Sequence, residues 1–366
     1  MVDTGTIVQM VAKPHLLEAK ELRTLLHSGD WIPYVTWHHL EELVSHENDA
    51  VVKKRLDFIA EFSHVAYLRQ TRDGPNLGSG MDVRDCEIAF LVDHPNASHD
   101  EIIEGVRPIV RSGFCSGREF LADNAEWWEF FRTYLAQQSL ARKEEIVNLT
   151  HFPTSNMKER LPGPGQSPPP RSGEEGVKHF TRMASRLERK IRDHGDCRRV
   201  DPKVAARRLM REAYDETLPI LKEGGDFVDG MMKRDGVSRD RLPINPTFED
   251  MAYEGIFVGQ MGVHARRLLK NKEELLSIVR KERLPAWVVW QEVDRRLKQL
   301  PNAQLGNLND KHLLDFGLYV DVINVDKRIA DLLRQAAGGH PLLRRVYGRI
   351  PQGRGMSGLL KHLQKN

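Results

Sequence analysis

The chain has 366 residues, 40% of them hydrophobic and 29% charged, with a formal net charge of +3. That length and apolar content support one large core or two ordinary ones, and so mild a basic excess does not by itself select a polyanionic partner. Three cysteines (Cys86, Cys115, Cys197) with no CxxC pair exclude a disulfide scaffold and a thiolate zinc site and suit a reducing cytoplasm. No apolar run reaches the roughly 18–20 residues of a membrane span. No signal-peptide pattern opens the chain, so a cytoplasmic location without membrane association is expected.

In chain order, Leu16 to Leu26 has apolar residues at helical spacing and stops at Ser28-Gly29. Ile32 to Val35 reads as a short strand, with Thr36 placed to cap the next helix. Val51 to Phe62 is an amphipathic helix and Val65 to Leu68 a further strand. Strands separated by helices predict a parallel α/β sheet. Beyond Asp73-Gly74-Pro75 the pattern becomes helix upon helix, over 84–93, 99–111, 117–146 and 179–222. It is broken by the Pro/Gly-rich tract 161–173, which reads as an exposed loop. Alternation returns with a helix over 285–300, a helix from Asp310, a strand over 320–325 and a helix from Asp326 to about Ala337. The expected organisation is a discontinuous α/β domain (1–95 and 284–345), a mainly helical insertion (96–283) and a basic tail (346–366) containing Arg349 and Arg354.

Four carboxylates fall at strand ends or helix starts in this scheme: Asp3, Glu42, Asp310 and Asp326. The carboxyl ends of parallel strands converge on the crevice where open α/β sheets bind ligands. Several carboxylates ionised in one crevice need cations to offset them. Through Val2-Asp3-Thr4, Leu40-Glu-Glu-Leu43, Asn309-Asp310 and Val325-Asp326-Lys-Arg328 the chain resembles the PIN domain, a nuclease family. Only two residues precede Asp3, so either the first strand is short or the start lies upstream. The resemblance implies a three-layer α/β/α fold with a central parallel sheet, interrupted by the large helical insertion.

It further implies a metal-dependent nuclease, with Asp3, Glu42, Asp310 and Asp326 both as catalytic residues and as ligands of Mg²⁺ or Mn²⁺. Hard divalent cations favour such oxygen donors. Thr4 and Asn324 are placed to orient the carboxylates, and Glu41 is the substitute for Glu42. RNA is favoured over DNA by the resemblance, with an endoribonuclease as the first expectation and room for a homo-oligomer or a regulatory protein partner. The alternative is a catalytically silent PIN-like protein that binds nucleic acid or acts as a scaffold through a partner. Each acidic residue also has the plain reading of a helix cap, and Asp315 and Asp321 read as surface or loop residues.

His38, Glu42 and His46 share a helix face at i, i+4, i+8 and offer a rival zinc site, although no fourth ligand is evident. Solvent-facing histidines are the plainer reading. Between Lys178 and Arg211 there are twelve Lys/Arg against four Asp/Glu. Of these, Arg182, Arg186, Arg189, Lys190, Arg207, Arg208 and Arg211 are spaced to track a phosphate backbone. Trp127, Trp128, Phe130 and Phe131 could stack bases but have core spacing.

Overall fold

A computed structural model of the chain describes residues 1–46, 48–70, 77–124, 132, 158–163, 173–194, 201–222, 227–297, 311–353 and 355–365. Asp310, Cys197, Arg354, the aromatic group at 127–131 and most of the Pro/Gly-rich tract lie outside them. The chain divides into two compact units. The first comprises Met1–Ala141, Ile278–Asp294 and Leu305–Asn366, and the second Arg142–Ser277 and Arg295–Gln304.

The first unit begins with α1 (Thr4–Ala12), α2 (Leu17–Ser28), α3 (Trp37–Val44) and α4 (Asp49–Ala60). Side chains that accept from orphan backbone N–H groups start two of these helices, Asp3 at α1 and Asn48 at α4. The helix over 17–28 ends at Gly29, whose φ of 89° supplies the left-handed turn that closes it. Then follow β1 (Val65–Tyr67), α5 (Gly80–Asp93), α6 (His99–Val110), β2 (Gly113–Cys115) and α7 (Gly117–Ala122). Capping boxes open these three helices, with Ser79 and Asp82, Ser98 and Glu101, and Ser116 and Glu119 as the reciprocal pairs. Helices α6 and α7, assigned from sequence to the insertion, thus belong to the first unit.

The central parallel sheet expected from sequence is absent among the described residues, and with it the three-layer α/β/α architecture. What is present is one two-stranded antiparallel sheet, β1 with β2, in the register Val65↔Cys115 and Tyr67↔Gly113. Residues 32–35 contribute only an isolated parallel bridge, Tyr34↔Ala66. Pro33 has no N–H to extend it.

Residues 320–325 form no strand because their backbone bonds elsewhere. Arg349 donates to the carbonyls of Gly317 (3.0 Å) and Val320 (2.8 Å), and Arg111 to that of Tyr319 (2.7 Å). The Ile323 N–H donates to Arg349 O (3.0 Å) and the Asn324 N–H to Met1 O (2.9 Å). Within the run, Val320 O is thus satisfied by a guanidinium and Val322 O by the Met1 amino group (2.6 Å), in place of a neighbouring strand.

The unit closes with α13 (Pro285–Leu297), α14 (Lys327–Ala337), α15 (Pro341–Gly348) and α16 (Gly355–Leu363), the intervening α8–α12 lying in the second unit. Residues 346–366, read from sequence as a basic tail, place Met356, Leu359, Leu360 and Leu363 in one core with Ile7, Leu22, Leu40, Leu43, Ile59, Val65 and Phe120. Leu363 O also accepts from the Trp31 indole (3.2 Å).

The second unit contains α8 (Gly173–His194), α9 (Pro202–Lys222), α10 (Phe227–Asp235), α11 (Phe248–Leu268) and α12 (Lys272–Ile278). The single helix expected over 179–222 is two helices, α8 and α9, and Leu187 and Ile191 pack on Ala205, Ala206 and Met210. A second cluster joins Leu161, Val228, Met232, Val237 and Met251. Within this unit the buried Glu254 accepts from Arg241 (2.5 Å), which also donates to Leu276 O (2.7 Å). Among the described residues, no helix is long and apolar enough to cross a membrane.

Candidate functional site

At the start of α1, Asp3 accepts from the Thr6 N–H (2.5 Å) and the Thr6 hydroxyl (3.2 Å). The Asn324 amide donates to Asp3 Oδ2 (2.8 Å) and to Thr6 Oγ1 (2.9 Å). Asp3 and Asn324 are 321 residues apart in the chain, and the link between Asn324 N–H and Met1 O brings them together. The hydroxyl in this arrangement belongs to Thr6. Thr4 is buried in the first turn of α1.

The Asp3 carboxyl is pushed up to about 6, first by burial and then by the charges of Glu42 and Asp326; its bonds to Thr6 act in the opposite direction. Asp3 therefore responds to two of the other three acidic residues singled out from sequence. Glu42 comes from α3, and Asp326 is the N-cap of α14, accepting from the Ile329 N–H (2.7 Å).

One side of this group is held by His39, which is fully buried. Its Nδ1 accepts from the Thr36 N–H (3.1 Å), which leaves the proton on Nε2 to donate to Val2 O (2.7 Å). Burial lowers the imidazole to about 3, so it stays neutral and acts as a fixed strut between α3 and the residue before Asp3.

The same helix faces a second polar cluster. Glu41 is buried and lies 3.6 Å from His38 Nδ1, and the His38 ring stacks on His312 with centroids 4.9 Å apart. His38 is thus largely enclosed, contrary to the solvent-facing reading. His46 lies beyond the C-cap of α3 and is exposed, so His38, Glu42 and His46 do not continue along one helical face. That removes the geometric basis of the zinc alternative.

Asp315, expected at the surface, is buried and bonded twice by Arg84 Nη2, at 2.9 and 3.1 Å. A Cβ on Gly80 would overlap the Asp315 carboxylate, so glycine is what lets α5 approach it. The Arg84 guanidinium lies 5.1 Å from the Trp287 ring centroid and 5.0 Å from that of Trp290. Glu87, one turn along α5, accepts from Tyr319 OH (2.5 Å) and Ala286 N–H (2.8 Å) through one oxygen, while its other oxygen is buried with no partner. Burial pushes Glu87 up to about 8. Asp321 is exposed and pairs with Arg111 at 2.8 Å.

Asp3, Glu42 and Asp326 come from three elements and offer carboxylate oxygens, the donor type that hard divalent cations favour, with Asn324 and Thr6 orienting Asp3. Among the described residues, no set of three or more His, Cys, Asp or Glu side chains gathers tightly enough to hold a metal ion. The fit is therefore one of charge and donor type, and Asp310 lies outside the described residues.

In the second unit Arg182, Arg186, Arg189, Arg207, Arg208 and Arg211 are all exposed. Two of them face carboxylates at i, i+4: Arg208 with Glu212 (3.7 Å) and Arg211 with Asp215 (3.9 Å). The side chain of Lys190 lies outside the described set.

Comparison with known proteins places none beside this chain: no family model, no curated protein and no solved structure matches it.

Proposed function

We propose that the chain is a divalent-metal-dependent phosphodiesterase acting on nucleic acid, with RNA as the first substrate to test. The supporting observation is the Asp3 group: a carboxyl raised to about 6 that is held by Thr6 and Asn324 and faces the charges of Glu42 and Asp326. Asp3 and Asp326 would hold the cation, with Glu42 and Asp310 as further oxygen donors. Bound there, Mg²⁺ or Mn²⁺ would supply Lewis-acid activation of a water and of the phosphoryl oxygen. The chain's own residues do the rest. Asn324 and Thr6 fix the Asp3 carboxylate, and His39 fixes the backbone beside it. The reading rests on this side-chain group and not on a PIN-like sheet.

A second reading, a catalytically silent nucleic-acid-binding or scaffold protein, draws on a different fact. Asp3 and Asp326 each already bond a helix N-terminus, which is a sufficient structural reason for both.

Asparagine separates the two readings, because it caps a helix as well as aspartate but carries no charge. Labelled single-stranded RNA and DNA are incubated with Mn²⁺, Mg²⁺ or EDTA and with wild type, Asp3→Asn or Asp326→Asn. Metal-dependent cutting by wild type that is lost in variants of unchanged stability supports the enzyme. Absence of cutting by folded wild type, or cutting unaffected by either substitution, refutes it.

A further inference from the structure

The structure assigns to one face of α8 a docking surface for a nucleic-acid backbone, formed by Arg182, Arg186 and Arg189. The argument begins with helical geometry. Positions 182, 186 and 189 are separated by four and three residues, so their side chains form one row, roughly 10 Å long at 1.5 Å per residue. All three are exposed, and none forms an ion pair or hydrogen bond with another described residue. Elsewhere on the same helix pair, arginines are partly neutralised by their own helix. Arg192 donates to Glu188 (2.6 Å), Arg208 faces Glu212 and Arg211 faces Asp215. One carboxylate, Asp193, is exposed a turn beyond Arg189. The structure thus divides the seven basic residues singled out from sequence, leaving a row of three guanidinium groups open on α8.

The other side of α8 decides what kind of polyanion fits. An amphipathic basic helix that lies on a membrane needs an apolar face free to enter it. Here Leu187 and Ile191 are already buried against Ala205, Ala206 and Met210, with Met183 and Ala184 packed on the same cluster. Among the described side chains of α8, only the polar side is left to meet a partner. Thr181 and Ser185 each precede an arginine of the row, Ser185 donates its hydroxyl back to Thr181 O (3.0 Å), and no apolar side chain interrupts the row among the described ones. A rigid row of unpaired guanidinium groups without apolar anchors suits phosphates that remain in water, as those of a nucleic-acid backbone do. The choice of nucleic acid among hydrophilic polyanions rests on the function proposed above.

The test is binding of a fluorescent single-stranded RNA to the full chain in EDTA, so that neither cleavage nor a bound cation contributes. Three phosphate contacts on a single strand predict a log K against log salt slope near −2, about 20-fold weaker binding from roughly 50 to 200 mM salt. Arg182→Gln/Arg186→Gln/Arg189→Gln should flatten that slope and abolish binding, whereas the corresponding lysine variant should keep most of it. Arg208→Gln/Arg211→Gln should bind as wild type does. Undiminished binding by the glutamine triple variant overturns the assignment, as does absence of RNA binding by folded wild type. Association with phosphatidylserine vesicles in place of RNA overturns it in favour of a membrane surface. Binding that behaves as expected in a protein that cuts nothing with Mn²⁺ leaves this surface standing and removes the catalytic reading instead.

Discussion

The first unit holds two groups of carboxylates that differ in what balances them. Asp315 is enclosed with its counter-charge: Arg84 bonds it twice and is flanked by Trp287 and Trp290. A neighbouring buried pair, Lys311 with Asp294 at 2.7 Å, is balanced in the same way. Asp3 instead faces Glu42 and Asp326, and the groups that bond it, Thr6 and Asn324, are neutral. A carboxylate paired with a guanidinium inside a core is complete as it stands. Asp3, whose carboxyl is raised by two neighbouring carboxylates, would gain from a cation supplied from outside, although Glu42 also acts on Arg55. The first group therefore reads as structure, and the second is the one for which a cation-binding role is proposed.

The largest expected effect lies beside the balanced group, at Glu87. Its folded value is about 8, above the usual 4.5, so between those limits the folded state binds more protons than the unfolded one. The Glu87 contribution to stability should then be fully present below pH 4.5 and be lost as pH rises through 8, by on the order of 5 kcal/mol at most. Glu87→Gln keeps an oxygen for Tyr319 OH and Ala286 N–H, and should flatten this fall in urea titrations across that range. An unchanged pH profile would show that Glu87 is ionised without penalty.

Next comes the balance itself. Arg84→Met leaves Asp315 buried without its partner and should cost about 3–5 kcal/mol, while Arg84→Met/Asp315→Leu should recover most of that loss. The urea midpoint at constant m-value reports both. Equal losses in the single and double variants would mean that packing against Trp287 and Trp290, and not charge, sets the cost.

Smallest is the cap. Asp326→Ala should lose about 1 kcal/mol and Asp326→Asn close to nothing, read from the same denaturation midpoints. A large loss in the asparagine variant would make the Asp326 charge structural and draw the two groups together.

Helices were legible where apolar spacing and caps agreed. Residues 16–26 become Leu17–Ser28, 51–62 become Asp49–Ala60, and 99–111 become His99–Val110. One expected strand was legible, 65–68 becoming Val65–Tyr67, and two were not. Short runs such as 32–35 and 320–325 carry too little periodicity to separate a strand from a buried loop. What decides them is distant: Arg349 bonds the Val320 carbonyl and Met1 bonds Val322 O and Asn324 N–H, which local sequence does not show. The Asp3 group was visible because each member sits at a helix start or within a helix, while Thr6 was passed over for Thr4 although position N3 is where a cap bonds the helix. Asp315 was misread for the same reason as the strands, since its partner Arg84 lies 231 residues away.

The central claim, that the Asp3 group wants a cation, is tested most directly by calorimetric titration of the chain with Mn²⁺ at pH 7, above the Asp3 value of about 6. The account predicts binding by wild type that weakens as pH falls through 6, where Asp3 takes up its proton, and that disappears in Asp3→Asn/Asp326→Asn. No binding by folded wild type, or equal binding by the double variant, would contradict it.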